Sequence, residues 1–149
     1  ESPAVSTLER CLARAPRRRY RFAMPVVDDD ALPPITMRPG VAGRWLSGHD
    51  QGAAAVSVLR NWVESGVSIP KHLHDYEEIV LIEQGELWVE MDGVRHRGKP
   101  GRTIIIPPRT AHAWGTLKEK AQVLFIWPTL DPFAAGKSTY LEGKPPTVA

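Results

Sequence analysis

Residues 66–85 read Gly66-VSIPK-His72-Leu73-His74-DYE-Glu78-IVLIEQ-Gly85, and this stretch decides the fold that the sequence predicts. His72 and His74 are two residues apart. In an extended strand, residues i and i+2 project from the same face, so both imidazoles can reach one point. Glu78 lies at an even offset from both histidines, which keeps it on that face if residues 75–77 are extended. The stretch therefore predicts a strand whose one face carries candidate metal ligands.

A second stretch, residues 101–116, reads Gly101-RTIII-Pro107-Pro108-Arg109-TA-His112-AWG-Thr116. His112 follows a double-proline turn and must arrive from another strand. Three imidazoles and one carboxylate form a mixed nitrogen and oxygen site for a borderline divalent ion, with positions left open for water or substrate. His49, in a turn, and His96, at a charged strand end, are interpreted as ordinary surface histidines.

Around these two stretches, short β-branched or aromatic runs alternate with turn residues. Many short strands at regular spacing indicate an all-β sandwich or barrel. The dipeptide Asp92-Gly93 between two such runs predicts a tight hairpin. The predicted strands cover residues 43–46, 54–63, 78–82, 86–91, 103–106 and 121–127.

The two stretches resemble the two sequence motifs of the cupin superfamily. The first motif is a glycine, five residues, HxH, three or four residues, a glutamate, six residues and a glycine, and residues 66–85 match it without departure. In the second motif, Arg109 replaces a glycine and Thr116 replaces an asparagine, so the turn before the histidine must be built without the freedom of glycine at positive φ. The metal ligands that the resemblance implies are His72, His74, Glu78 and His112.

The resemblance implies a double-stranded β-helix, the jelly-roll barrel of the cupins, commonly dimeric and with one divalent transition metal at its centre. Iron or manganese is the favoured ion, while nickel, zinc and copper are possible for such a ligand set. We expect an N-terminal arm and extended segment over residues 1–34, the barrel over 35–128 and a C-terminal tail over 129–149. Prolines make residues 23–39 suitable for extended edge structure and predict an irregular tail.

Composition bounds the class of protein. With 149 residues, 42% hydrophobic and 24% charged, the chain has the makeup of one ordinary globular domain. No apolar run approaches the ~20 residues of a membrane helix. No signal peptide is visible and Cys11 is the lone cysteine, which favours the cytoplasm, although a removed targeting segment stays possible. The arginines of residues 10–21 are interpreted as a solvated or subunit-packing arm, because no nucleic-acid-binding signature accompanies them.

Strand alternation extends the candidate site to four further residues. If His112 faces inward, Trp114 and Thr116 do so as well, and Trp114 is then either a pocket wall or ordinary core. Arg60 and Trp62 share one face of their strand. Arg60 is either an inward residue that holds an anionic substrate or a solvent-facing residue of the outer sheet.

The function that these features favour is a metal-dependent enzyme acting on a small oxygenated or aromatic molecule, most simply a dioxygenase-type oxidoreductase. One alternative is a non-redox isomerase, decarboxylase or lyase, in which Glu78 or a nearby base moves a proton. Another is a non-catalytic sensor that binds a small molecule, because a fold does not by itself select a function.

Overall fold

Residues 26–146 are the part of the chain that the structure, a computed structural model, describes. The arginine cluster and Cys11 lie outside this part. A 3-10 turn at Asp29–Ala31 precedes the first strand. The strands that follow are β1 (Ile35–Arg38), β2 (Val41–Ser47), β3 (Ser57–Val63), β4 (Ser68–His74), β5 (Glu78–Gln84), β6 (Leu87–Met91), β7 (Val94–Gly98), β8 (Thr103–Ile106), β9 (His112–Gly115), β10 (Ala121–Trp127) and β11 (Ser138–Tyr140).

The strands form two antiparallel sheets, which is the predicted all-β jelly roll. One sheet has six strands in the order β1-β2-β3-β10-β5-β8, and the other has five in the order β11-β4-β9-β6-β7. Every prediction of a strand is confirmed at its centre, with differences of up to three residues at the ends. Within residues 26–146, no helix has the length and apolarity that crossing a membrane requires.

The core lies between the sheets because side chains alternate along each strand. In β10, Val123, Phe125 and Trp127 are buried, while the intervening residues are only half-buried. β3 and β5 show the same alternation, so the inner faces of the six-stranded sheet meet those of the other sheet. The dipeptide Asp92-Gly93 joins β6 and β7 with φ of 49° and 77°, the two positive values that a type I′ hairpin requires.

The tail after Pro128 corrects one prediction. It was expected to be irregular, yet β11 pairs antiparallel with β4 and brings Tyr140 opposite His72. Pairing across an edge strand satisfies backbone groups whatever the side chains are, so composition carries little signal for it. The division into residues 1–34, 35–128 and 129–149 stays a prediction, since the arm lies mostly outside the described part.

Arg109 occupies the position where the resemblance expects glycine, and it adopts the left-handed backbone conformation itself, with a φ of 60°. Its N–H donates to the His74 carbonyl at 2.7 Å, which ties the loop before β9 to the end of β4. A non-glycine residue in this conformation costs roughly 1–2 kcal/mol. Its ion pair with Asp75, at 3.7 Å between two exposed side chains, stabilises little.

We expect Arg109→Gly to raise the free energy of unfolding by about 0.5–1 kcal/mol, because the relief of strain exceeds the extra entropy that glycine gives the unfolded chain. Urea unfolding measures the change. Arg102→Gly is the matched control, because Arg102 is exposed and lacks a positive φ, and it should lower the stability. A fall in stability for Arg109→Gly would contradict the interpretation.

Candidate metal centre

Two neighbouring strands bring three histidines together. β4 carries His72 and His74 on its inner face, and β9 pairs with β4 so that His112 stands opposite His72. All three side chains are buried, and His112 is 0% exposed. One ring nitrogen from each lies within 4.8 Å of the others. The three histidines are therefore positioned to hold a metal ion.

The three rings are oriented by the same kind of hydrogen bond. Each Nδ1 lies within hydrogen-bond distance of a backbone carbonyl two residues away: 2.8 Å for His72 with Pro70, 2.6 Å for His74 with Tyr76 and 2.8 Å for His112 with Thr110. A carbonyl can only accept, so Nδ1 carries the proton and donates. The lone pair of a neutral ring then sits on Nε2, which faces the centre of the cluster. This arrangement is typical of histidines that bind metals through Nε2.

Glu78 reaches the cluster from the opposite sheet. Its Oε2 lies 2.9 Å from His74 Nε2 and 3.9 Å from His112 Nε2, and Trp127 Nε1 donates to the same oxygen at 2.9 Å. The expectation that residues 75–77 stay extended is wrong: the chain bends there and crosses from β4 to β5, the first residue of which is Glu78. Glu78 therefore faces the histidines across the core rather than along one strand.

A metal ion fits this donor set. His112 Nε2 is buried and has no hydrogen-bond partner within the described chain. A buried polar atom without a partner costs free energy unless a ligand satisfies it. Two donors that bind one ion at about 2.1 Å lie about 3 Å apart when they are at right angles, close to the observed separation of Glu78 Oε2 from His74 Nε2.

Burial and the Glu78 carboxylate shift the pKa values of the three histidines in different directions. Burial lowers the pKa of His72 to about 4 with help from His112, and burial also lowers the pKa of His112. For His74, burial acts in the same direction but is outweighed by Glu78, so its pKa is raised. Burial would raise the pKa of Glu78, yet its bond to His74 holds that pKa below the usual range. Two histidines thus favour the neutral form that binds an ion, whereas Glu78 favours the protonated form of His74 when no ion is bound.

Aromatic rings enclose the centre on two sides. Tyr76 stacks on His74 with ring centroids 4.5 Å apart, and Tyr140 stacks on His72 at 4.8 Å. The Tyr76 hydroxyl donates to the Pro132 carbonyl at 2.6 Å, which fixes this ring to the tail. The cavity beside the histidines measures about 50 Å³, and its further lining is mostly apolar: Met37, Val41, Ile69, Trp114, Phe125, Trp127 and Phe133.

Three of the four residues predicted for the pocket do not border this cavity: Arg60, Trp62 and Thr116. Arg60 faces the other side of β3, where its guanidinium binds both oxygens of Glu83 at 2.8 and 3.1 Å and Asp29 at 3.1 Å. Trp62 lies on the same outer face and donates to Gln122 at 2.9 Å. The outward alternative for Arg60 is therefore the correct one, because strand alternation gives the inner face to Leu59, Asn61 and Val63.

Trp114 and Thr116 differ from each other. Trp114 lies on the cavity wall, where it packs against Phe125 with ring centroids 4.9 Å apart. Thr116 follows the end of β9 and does not border the cavity. Its hydroxyl donates to the Glu64 carbonyl and accepts from the Val67 N–H, so it holds the chain on either side of Gly66.

The residues on the cavity wall that were not anticipated from the sequence include Arg38, Asn61 and Tyr140. Asn61 is 3% exposed and its Oδ1 has no hydrogen-bond partner within the described residues. The parity of β3 places Asn61 on the face opposite Arg60, so the sequence held a signal for it. Arg38 and Tyr140 come from β1 and the tail, and no motif marks either of them.

Comparison with known proteins agrees with this geometry. The cupin domain family (Cupin_2) matches residues 62–128. Protein SchB of Streptomyces halstedii is 29% identical over 109 residues, covering 72% of this chain and 79% of that protein. The solved polyketide cyclase RemF from Streptomyces resistomycificus superposes with a TM-score of 0.69 at 18% identity, covering 80% of this chain and 86% of its own. Oxalate decarboxylase from Bacillus subtilis superposes with a TM-score of 0.65 at 15% identity, covering 77% of this chain and 31% of its own.

We expect the purified protein to bind about one divalent ion per chain. The variant His112→Ala should lose this metal content, because it lacks one of the three histidines and the His112 side chain faces only the centre. Elemental analysis after purification without a metal-affinity tag measures the metal content per chain. His96→Ala is the matched control, since His96 is exposed on β7 and its loss should leave the metal content unchanged. An equal metal content in His112→Ala and wild type would contradict the site.

The metal-free protein should lose stability in acid. The folded-state pKa of His72 is about 4 against an ordinary 6.5, so the unfolded chain binds this proton more readily as the pH falls through that interval. Between pH 7 and pH 4.5 this one residue accounts for roughly 2–3 kcal/mol of lost stability. Urea unfolding of chelator-treated protein at both pH values measures it. His72→Gln should show a loss smaller by that amount, and an identical loss in both proteins would refute the assignment.

Proposed function

We propose that the chain, which carries a match to the cupin domain family and has the cupin fold, is a metal-dependent enzyme that acts on an oxygenated aromatic or polyketone molecule. The observation that carries the proposal is the cluster of three Nε2 donors beside an aromatic-walled cavity. A cation-binding centre next to apolar walls suits a ligand with oxygen donors at one end and flat apolar surface elsewhere.

The reaction class that we favour is a non-redox ring closure or related proton transfer. A divalent ion at the centre would supply Lewis acidity toward a carbonyl or enol oxygen of the substrate. The surrounding rings exclude water and orient a flat substrate against Trp114. Support comes from the polyketide cyclase RemF, because its structural match covers most of both chains. Further support comes from oxalate decarboxylase, whose name also denotes a reaction without net oxygen insertion.

Such chemistry needs a group that moves a proton, and Tyr140 meets the requirement. Its ring is stacked on His72, and it borders the cavity together with Arg38. Glu78 is less available because His74 and Trp127 already occupy its Oε2. In the proposed reaction, the Tyr140 Oη exchanges a proton with the substrate while Glu78 holds His74 in place.

Oxygen insertion is the second candidate, and the donor set itself favours it. Three histidines and a carboxylate leave open positions on a redox-active ion, and a small apolar cavity admits dioxygen. The two candidates differ in one measurable respect, which is oxygen consumption. A sensor function would show neither turnover nor oxygen uptake. A homodimer and a cytoplasmic location stay predictions.

We expect the manganese- or iron-loaded protein to convert members of a panel of 1,3-diketones, β-keto acids and polyhydroxylated aromatic acids under anaerobic conditions. Products isomeric with the substrate, or lighter by water or carbon dioxide, identify non-redox chemistry by mass spectrometry. Turnover that requires dioxygen would instead identify the reaction as oxygen insertion, the second candidate. The absence of turnover with and without dioxygen across the panel would reject both.

Tyr140→Phe should lower kcat for any converted substrate by about 100-fold while leaving the metal content unchanged. Tyr76→Phe is the matched control, because both rings stack on a ligand histidine and the Tyr76 hydroxyl is already bonded to Pro132. It should lower the stability by about 1 kcal/mol with little effect on kcat. Equal kcat values for the wild type and Tyr140→Phe would remove Tyr140 from the reaction.

A further inference from the structure

The cavity wall carries one cation whose role the metal centre does not explain. Apart from the histidines, the charged residues that border the cavity are Glu78 and Arg38. Glu78 lies deep in the core and is occupied by His74 and Trp127. Arg38 ends β1, the edge strand of the six-stranded sheet, and is half-buried. Its guanidinium contributes a positive charge to walls that are otherwise mostly apolar.

Arg38 differs from the other arginines in its partners. A carboxylate lies within 4 Å of the guanidinium in each of five others: Arg44, Arg60, Arg95, Arg97 and Arg109. Within residues 26–146, no carboxylate lies that close to Arg38. A partly buried charge is rarely left without a counter-charge, because its desolvation is then uncompensated. Arg102 also lacks such a partner in this part of the chain, but it is exposed and water solvates it.

The surroundings of Arg38 show where an anion could bind. Arg38 and Tyr140 border the same cavity. Burial raises the pKa of the Tyr140 phenol, and the positive charge of Arg38 opposes that rise. Arg38 also borders a surface groove of about 530 Å³ lined by Thr36, Met37, Pro39, Pro70, Lys144 and Pro145. It therefore stands where the cavity meets the groove, and Lys144 adds a second positive charge there.

From this placement we propose that the substrate carries a carboxylate and that Arg38 binds it at the mouth of the cavity. A guanidinium offers paired N–H donors that match the two oxygens of a carboxylate. The proposal rests on the proposed function, since it takes the cavity as the substrate site. It replaces Arg60 as the residue that holds an anion, because Glu83 and Asp29 already neutralise Arg60.

The position also restricts the shape of the substrate. Tyr140 stacks on the ring of His72 at 4.8 Å and borders the same cavity as Arg38, which also borders the outer groove. In the proposed pose, the carboxylate binds Arg38 at the mouth and does not itself bind the histidine cluster. The substrate must present its oxygen donors to the centre and its carboxylate to the mouth, with flat apolar structure between them.

The test uses 2-naphthoate and 2-naphthamide, which share a shape and differ in charge. Isothermal titration measures both with the full-length protein, once treated with chelator and once loaded with manganese. Wild type should bind 2-naphthoate about 10- to 100-fold more tightly than 2-naphthamide in both forms, and Arg38→Gln should abolish that preference. Arg38→Lys should retain part of it. The matched control, Arg102→Gln, removes the same charge at an exposed site and should retain all of it.

The outcomes separate this inference from the proposed function. A preference for 2-naphthoate that survives Arg38→Gln, or that appears only after manganese is added, would show that the carboxylate binds elsewhere and would overturn the inference. An absence of preference in wild type would do the same. Failure to take up metal or to turn over the substrate panel would remove the proposed enzyme, yet the preference in chelator-treated protein would still establish Arg38 as an anion site. Thermal unfolding confirms that each variant is folded.

Discussion

The hydrogen bonds from three histidine Nδ1 atoms to backbone carbonyls are the contacts on which the rest of the site depends. Each bond joins a ring to a carbonyl two residues away, so the local backbone at residues 70, 76 and 110 sets the direction of the ring. With Nδ1 engaged, each Nε2 points into the core. Polar atoms at this depth require partners, and His112 Nε2 has none within the described chain. A bound metal ion would satisfy this requirement.

The two sheets divide the site between them. The five-stranded sheet supplies the histidines on β4 and β9, and the six-stranded sheet supplies Glu78 together with Trp127, which donates to its carboxylate. The ionisable cluster therefore spans the contact between the sheets. Hydrophobic packing of residues such as Val80 and Phe125 brings the sheets together and removes water from the cluster. Removal of water strengthens every electrostatic interaction within the cluster.

The C-terminal tail turns the core around the histidine cluster into a shaped cavity. β11 adds an edge to the five-stranded sheet, and Tyr140 stacks on His72 as a result. The Pro132 carbonyl accepts from Tyr76, which stacks on His74. Both tyrosines thereby cover histidines of the cluster, and the space that remains is about 50 Å³. Only a few groups the size of water fit in that volume, so a larger substrate must extend through the mouth where Arg38 lies.

The sequence by itself determined the all-β architecture, most of its strands and the histidines that converge. Strand alternation is a local property, so the pairing of His72 with His74 on one face and the hairpin at Asp92-Gly93 could be predicted from neighbouring residues. The motif spacing also marked Glu78, although for the wrong geometric reason. Glu78 meets the histidines because the chain crosses between sheets, which no strand periodicity describes.

Only the tertiary structure decided which other side chains reach the cavity. Arg60 has the chemistry for binding an anion, but its neighbours Glu83 and Asp29 come from distant parts of the chain and occupy it. Arg38 and Tyr140 belong to segments with no motif, and they border the cavity because edge strands β1 and β11 lie beside it. The physical reason is that partner choice depends on contacts between remote residues, whereas the alternation of buried and exposed positions depends on adjacent ones.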